Sequence, residues 1–155
     1  DTIKFVCLSP YRIIVTGRIK HFISAFGEHV IGKEVETAIK IASERTSSVI
    51  REFTVAPQIH PPSGLPYHEW FIDFDRRPDN VSKFSLHLDT EMRNQNLYYD
   101  DLISGKILKR LVVTEVIKDG FQKYMKGIGK LGGQNKVPRL SNDRSIVDKL
   151  ISKGK

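Results

Sequence analysis

Apolar residues near the start of the chain come in two short runs, Ile3-Lys4-Phe5-Val6-Cys7-Leu8 and Arg12-Ile13-Ile14-Val15-Thr16, separated by Ser9-Pro10. Branched and aromatic side chains suit a pleated surface and Ser-Pro is turn chemistry, so the segment predicts a hairpin with Cys7 in the core. A strand starting at residue 1 has nothing before it to cover its edge, which suggests a segment of something larger. A loop-like stretch is expected up to Gly32. Over residues 33–45, Val35, Ala38, Ile39 and Ala42 fall at i, i+3, i+4 and i+7, the signature of one helix face. Residues 49–59 and 67–74 read as strands, joined by Pro61-Pro62-Ser63-Gly64, which no helix tolerates. Val81, Phe84, Leu88 and Met92 predict a second helix capped by Asp79 or Asn80. A short helix over 97–104, a strand over 111–117, a short helix over 121–127, a Gly-rich loop over 127–140 and a last helix capped by Ser141 and running to 151 complete the reading. The order β-β-α-β-β-α-α-β-α-α predicts an α+β fold: an N-terminal β-hairpin followed by a small mixed, mostly antiparallel sheet flanked by helices.

With 155 residues, 39% of them hydrophobic, the chain matches one domain able to bury a core. No apolar run approaches the ~20 residues that cross a bilayer, and residues 1–5 lack the order of a secretory signal, so no membrane partner is expected. The lone Cys7 rules out an internal disulfide and a thiolate zinc cluster, which points to a reducing, cytoplasmic setting. The net charge of +7 is concentrated: from Lys118 onward ten Lys and Arg face three Asp, and the first 117 residues are neutral. Such a basic tail suits nucleotide phosphates, nucleic acid, an acidic protein surface or plain solubility.

Several familiar chemistries are absent. Gly127-Ile128-Gly129-Lys130-Leu131-Gly132 matches G-x-G-x-x-G, but a helix precedes it and a loop follows, the reverse of a dinucleotide fingerprint. No Gly-Lys-Ser/Thr phosphate loop occurs. The five histidines include no pair with metal-ligand spacing, so no metal site is expected. Trp70, Phe71 and Phe74 are expected to pack against helices rather than stack on bases. A self-contained enzyme is hard to build from these residues.

Two segments carry more. Residues 17–36 run Gly17-Arg18-Ile19-Lys20 to Gly27-Glu28-His29-Val30 and on to Glu34-Val35-Glu36. Residues 132–139 read Gly132-Gly133-Gln134-Asn135-Lys136-Val137-Pro138-Arg139, so a long cation follows a pliable backbone and precedes a stiff one. Together the segments resemble the C-terminal domain of the adenylate-forming superfamily of acyl-coenzyme A synthetases, peptide-synthetase adenylation domains and luciferase. That superfamily has a Gly-Arg-x-Asp/Lys hinge motif, an onward Gly and Glu-x-Glu opening a helix, and a final motif near Asn-Gly-Lys-Val-x-Arg. With Tyr67-His68-Glu69-Trp70-Phe71, the segments look most like the Gretchen Hagen acyl acid amido synthetases, the auxin-responsive-promoter family, in bacterial form.

The resemblance implies that residues 1–155 are one domain, the mobile C-terminal lid of a larger enzyme, with a hinge-proximal hairpin and hinge in 1–20. Lys136 matches the catalytic Lys, which would bridge the attacking carboxylate and the α-phosphate of ATP. Asp1 matches an Asp that accepts the ribose hydroxyls, and Arg18 an Arg that approaches the nucleotide. Lys20 falls on the hinge position. Gly27 matches a Gly whose bare backbone lines a substrate passage. His29 stands where some relatives carry Arg, and Asn135 and Pro138 depart from the usual final motif. The implied reaction joins a carboxylate to ATP, giving acyl-AMP and pyrophosphate, and then an amino acid nitrogen attacks to give an amide. ATP and Mg2+ would be bound mainly by an N-terminal adenylation domain of the same chain, which with the acyl acid and the amine completes the expected partners. The isolated domain is expected to be inactive. Thioester formation with coenzyme A is the alternative within the superfamily, and a free-standing basic α+β module for RNA or an acidic partner the alternative outside it; nucleic acid is not the expected partner.

Overall fold

The computed structural model describes residues 2–17, 22–132 and 135–152. Strands β1 (Thr2–Leu8) and β2 (Tyr11–Gly17) form the expected antiparallel hairpin around Ser9-Pro10. It does not enter the core. Leu8, Tyr11 and Val15 are 69%, 78% and 67% exposed, and Cys7 is half-buried rather than part of a core as expected. The reason is that both faces of this ribbon are apolar, and the hydrophobic clusters of the body include no residue from it.

The stretch expected as loop contains a minimal antiparallel pair, β3 (Phe22–Ile23) and β4 (Val30–Ile31). Helix α1 (Gly32–Arg45) follows directly, with Glu34 accepting from the Ile31 N–H at 2.9 Å to cap its first turn. Strands β5 (Val49–Gln58) and β6 (Tyr67–Arg76) pair antiparallel. After α2 (Val81–Gln95) and α3 (Leu97–Ser104), β7 (Val112–Glu115) joins the far side of β6 in parallel, giving the order β5-β6-β7. Two helices thus supply the crossover that a parallel pair requires. Asn80 and Asn96 cap α2 and α3, each side-chain oxygen accepting a backbone N–H three residues on.

The three-stranded sheet is covered on both faces, which explains why β6 is buried without interruption from His68 to Asp73. On one face Phe53, Val55, Trp70 and Ile72 meet Val35, Ala38 and Ala42 of α1 and Phe84, Leu88 and Met92 of α2. On the other, Ala56 and Phe71 meet Phe121 and Tyr124 of α4 (Gly120–Gly127) and Val147 and Leu150 of α5 (Ser145–Ser152). Trp70 and Phe71, adjacent in sequence and both 0% exposed, point to opposite layers, as strand alternation demands. Each fully buried side chain of this size contributes about 1.5–3 kcal/mol. The architecture is the α+β fold expected. Strand ends shift by one or two residues, β7 being shorter than the 111–117 expected and β6 running on to Arg76. The largest helix difference is that α5 starts at Ser145, not after Ser141, because Asp143 accepts the Ser145 N–H at 2.8 Å while the Ser141 hydroxyl is occupied with Asp143.

Candidate functional site

The Lys136 segment is anchored on its downstream side. Downstream of Lys136, the chain runs beside β5: the Thr54 hydroxyl donates to the Pro138 carbonyl at 2.7 Å, the Val55 N–H donates to Arg139 O at 2.9 Å, and the Ser141 N–H donates to Val55 O at 3.0 Å. Leu140 forms a parallel bridge with Val55. Arg139 closes the anchor. Its guanidinium pairs with Glu52, donates to Phe53 O and lies 4.5 Å from the centre of the Phe53 ring. Burial lowers the Arg139 pKa from its ordinary value, and the Glu36 carboxylate on α1 works the other way. Val137 is buried, yet Lys136 is exposed. The hydrogen-bonded segment thus presents an exposed ammonium.

Lys136 stands at the rim of a cavity of about 210 Å³ bordered by Arg51, Glu52, Asp73, Met125 and Val137. Asp73 is buried there, held by Arg51 at 3.1 Å and by the N–H of Asp119 at 3.0 Å. Burial raises the Asp73 carboxyl above its ordinary value, and those two donors offset it only in part. Asp119 has φ of 61°, a left-handed turn that aims its N–H at Asp73.

Gly27 sits at the tip of the β3–β4 connection with φ of 90° and no atom within 4 Å of where a Cβ would stand. A side chain there would meet strain rather than crowding. The next residue, Glu28, is fully buried. Its Oε1 lies 2.8 Å from His68 Nε2 on β6, and its Oε2 accepts the Phe26 N–H at 2.8 Å. Burial pushes the Glu28 carboxyl up, but the hydrogen bond and charge of His68 and the backbone N–H groups of Glu28 and Phe26 together outweigh it, leaving the pKa below the ordinary value. An ionised carboxylate has no proton to give, so Nε2 of His68 donates.

The structure brings the two motif segments together. Asn142, three residues beyond Arg139, accepts the Ser24 N–H at 2.9 Å and donates to Phe22 O at 2.8 Å, tying the end of the Lys136 segment to the loop that carries Gly27. Asp1, Arg18 and Lys20 lie outside the described residues, so their expected nucleotide-binding and hinge placements have no geometry here. Glu28, Asn96 and Asn142 had no role assigned from the sequence, and His68 entered only as part of Tyr67-His68-Glu69-Trp70-Phe71, the segment that carries the resemblance. The signal for His68 was its place on a strand rich in aromatic residues, Tyr67, Trp70, Phe71 and Phe74. Among the described residues no group of three or more His, Cys, Asp or Glu could hold a metal ion, and no helix is long and apolar enough to cross a membrane.

A three-layer α+β domain that fixes an exposed Lys on an edge-docked loop, tied to a Gly-tipped turn, defines the class. Residues 33–145 match the GH3 family C-terminal domain, and the chain belongs to that family. Among solved structures it is similar to GH3.15 acyl acid amido synthetase (TM-score 0.72, 15% identity, covering 93% of this chain and 28% of that one). It is also similar to AtGH3.15 acyl acid amido synthetase in complex with 2,4-DB (TM-score 0.71, 15% identity, 92% and 27%). At that identity the likeness establishes the fold. The chain thus spans about 28% of the length of the first of these proteins. A search among curated protein sequences finds no match.

Proposed function

We propose that this domain is the mobile C-terminal part of an ATP-dependent acyl acid amido synthetase. The carrying observation is the downstream anchoring of Lys136: β5 and Arg139 hold the chain just after it, and Lys136 itself stays exposed. A catalytic cation for phosphoryl chemistry must be delivered to a site built elsewhere and still be positioned, and this arrangement meets both demands. In the first half-reaction the substrate carboxylate oxygen attacks the α-phosphorus of ATP and pyrophosphate leaves with the bonding pair of the broken P–O bond. Lys136 neutralises the charge that builds between them. In the second, the amine nitrogen attacks the acyl carbon, loses a proton, and AMP leaves. Gly27 then lines the path of the amine, Lys20 is the hinge between two domain orientations, and Asp1 and Arg18 face the ribose and phosphates.

The described residues do not fit a Mg2+ site, so no step runs through the metal; Mg-ATP enters as substrate, held by an N-terminal adenylation domain. The exposed apolar hairpin supports such a partner, since Phe5, Leu8, Tyr11 and Val15 would be covered by it. The test has two arms. A longer chain carrying this domain should catalyse acyl-acid-dependent ATP–pyrophosphate exchange. These 155 residues alone, titrated calorimetrically with Mg-ATP, should bind in the ~millimolar range, because a few exposed charges leave little affinity after lost freedom is counted. Micromolar binding, or tight salt-dependent RNA binding, would overturn the lid reading.

A further inference from the structure

We infer that the buried Glu28–His68 pair is the positioning device for the Gly27 turn, and through it for the transfer half-reaction but not for adenylation; the second clause rests on the function proposed above. Glu28 and His68 are 0% and 1% exposed, a fully buried ionisable couple, and the proposed chemistry uses neither. A buried couple of this kind is weak evidence for stability, because desolvation opposes the attraction, and what it supplies best is a fixed geometry.

Here the fixed geometry is that of one turn. Glu28 joins its own loop to β6 through His68 and folds the loop on itself through the Phe26 N–H. The Glu28 carbonyl in turn accepts from the Asn96 side chain at 3.1 Å, and that same amide donates to Glu34, the residue capping α1. The His68 ring lies between Phe26 and Tyr99, with centroids 6.1 and 5.2 Å away, so it cannot pivot without moving the core. On either side of Glu28, Gly27 and His29 both hold positive φ, at 90° and 45°. For His29 that conformation is costly, of order 1–3 kcal/mol, and it persists only where neighbouring contacts determine it. The pair and its partners provide that determination, so the backbone at Gly27 is held from below by interior groups while its outer side stays open.

The test compares His68→Ala, which removes the donor, with His68→Gln, whose amide nitrogen can reach the same Glu28 oxygen. In the 155-residue protein, hydrogen exchange at the Phe26 amide should quicken at least tenfold in His68→Ala and return toward the parent in His68→Gln. In the longer chain, His68→Ala should slow amide formation from supplied acyl-AMP by about 10²-fold, the usual cost of a misplacement near 1 Å. Pyrophosphate exchange should change by less than about threefold, and His68→Gln should recover most of the loss. If both half-reactions fall together, in step with lost thermal stability, or if His68→Gln rescues nothing, the pair is only a core contact and the inference is overturned. Absence of pyrophosphate exchange in the parent chain would refute the function itself, and with it the transfer role. The exchange arm would still decide whether the pair holds the turn.

Discussion

Thr54→Val removes one oxygen and little else. Thr54 is fully buried on β5, its hydroxyl donates to the Pro138 carbonyl at 2.7 Å, and valine has nearly the same shape. Packing is retained while a half-buried carbonyl two residues from Lys136 loses its side-chain donor. A lost hydrogen bond that strands a buried partner costs about 1–3 kcal/mol. For a domain near this size each kcal/mol moves Tm by about 2–4 °C, so a cost of about 2 kcal/mol lowers Tm by about 4–8 °C. The bonds from Val55 N to Arg139 O and from Ser141 N to Val55 O, together with the Arg139–Glu52 pair, remain, so the segment should stay docked but looser. Urea unfolding with an unchanged slope should report the energy, and faster hydrogen exchange at the Val55 amide should place it. In a longer chain the same change should slow adenylation by up to about 10²-fold through the misplaced ammonium. An unchanged Tm with unchanged Val55 exchange would refute the anchoring argument.

Three further outcomes are expected. The Glu28 carboxyl is held below its ordinary value of 4.5, so its contribution is fully present above 4.5 and is lost as pH falls through the folded value; Glu28→Gln should be less stable at neutral pH and show a flatter decline from pH 4.5 downward, measured by urea midpoints across pH. Trp70 is fully buried with its Nε1–H unpartnered among the described residues, so Trp70→Phe should cost less than about 2 kcal/mol, since the orphaned donor goes with the lost area, while Trp70→Ala should cost about 3–5 kcal/mol in the same assay. Lys20→Pro, which fixes φ near −65°, should leave one half-reaction running and stop the other, and parent rates in both would remove Lys20 from the hinge.

Where burial is periodic, the elements were legible in the sequence. Val35, Ala38, Ile39 and Ala42 marked the buried face of α1, all four are buried, and Pro61-Pro62-Ser63-Gly64 separated β5 from β6 as turn chemistry requires. The β3–β4 pair was not legible because two residues per strand leave no period to detect. In the hairpin the pairing was legible and the burial of Cys7 was not, because exposure depends on what lies against a strand, which local pattern does not encode. Ser141 was a sound cap by type and lost the role to Asp143, two residues nearer the helix, whose carboxylate reaches the Ser145 N–H. Within the candidate site Lys136 and Gly27 were singled out through the resemblance of the motifs that hold them. Glu28, His68 and Asn142 were not, because each matters through a contact with a segment at least 40 positions away.

The central claim is that Lys136 serves the step in which pyrophosphate departs and no other. Lys136→Ala, introduced into the longer chain that carries this domain, separates the two half-reactions when pyrophosphate exchange is measured beside amide formation from supplied acyl-AMP. Removing one charge-stabilising donor typically costs about 10²–10³ in rate, so exchange should fall by that amount and amide formation should stay near the parent rate. Equal losses in both, or unchanged exchange, would contradict the assignment.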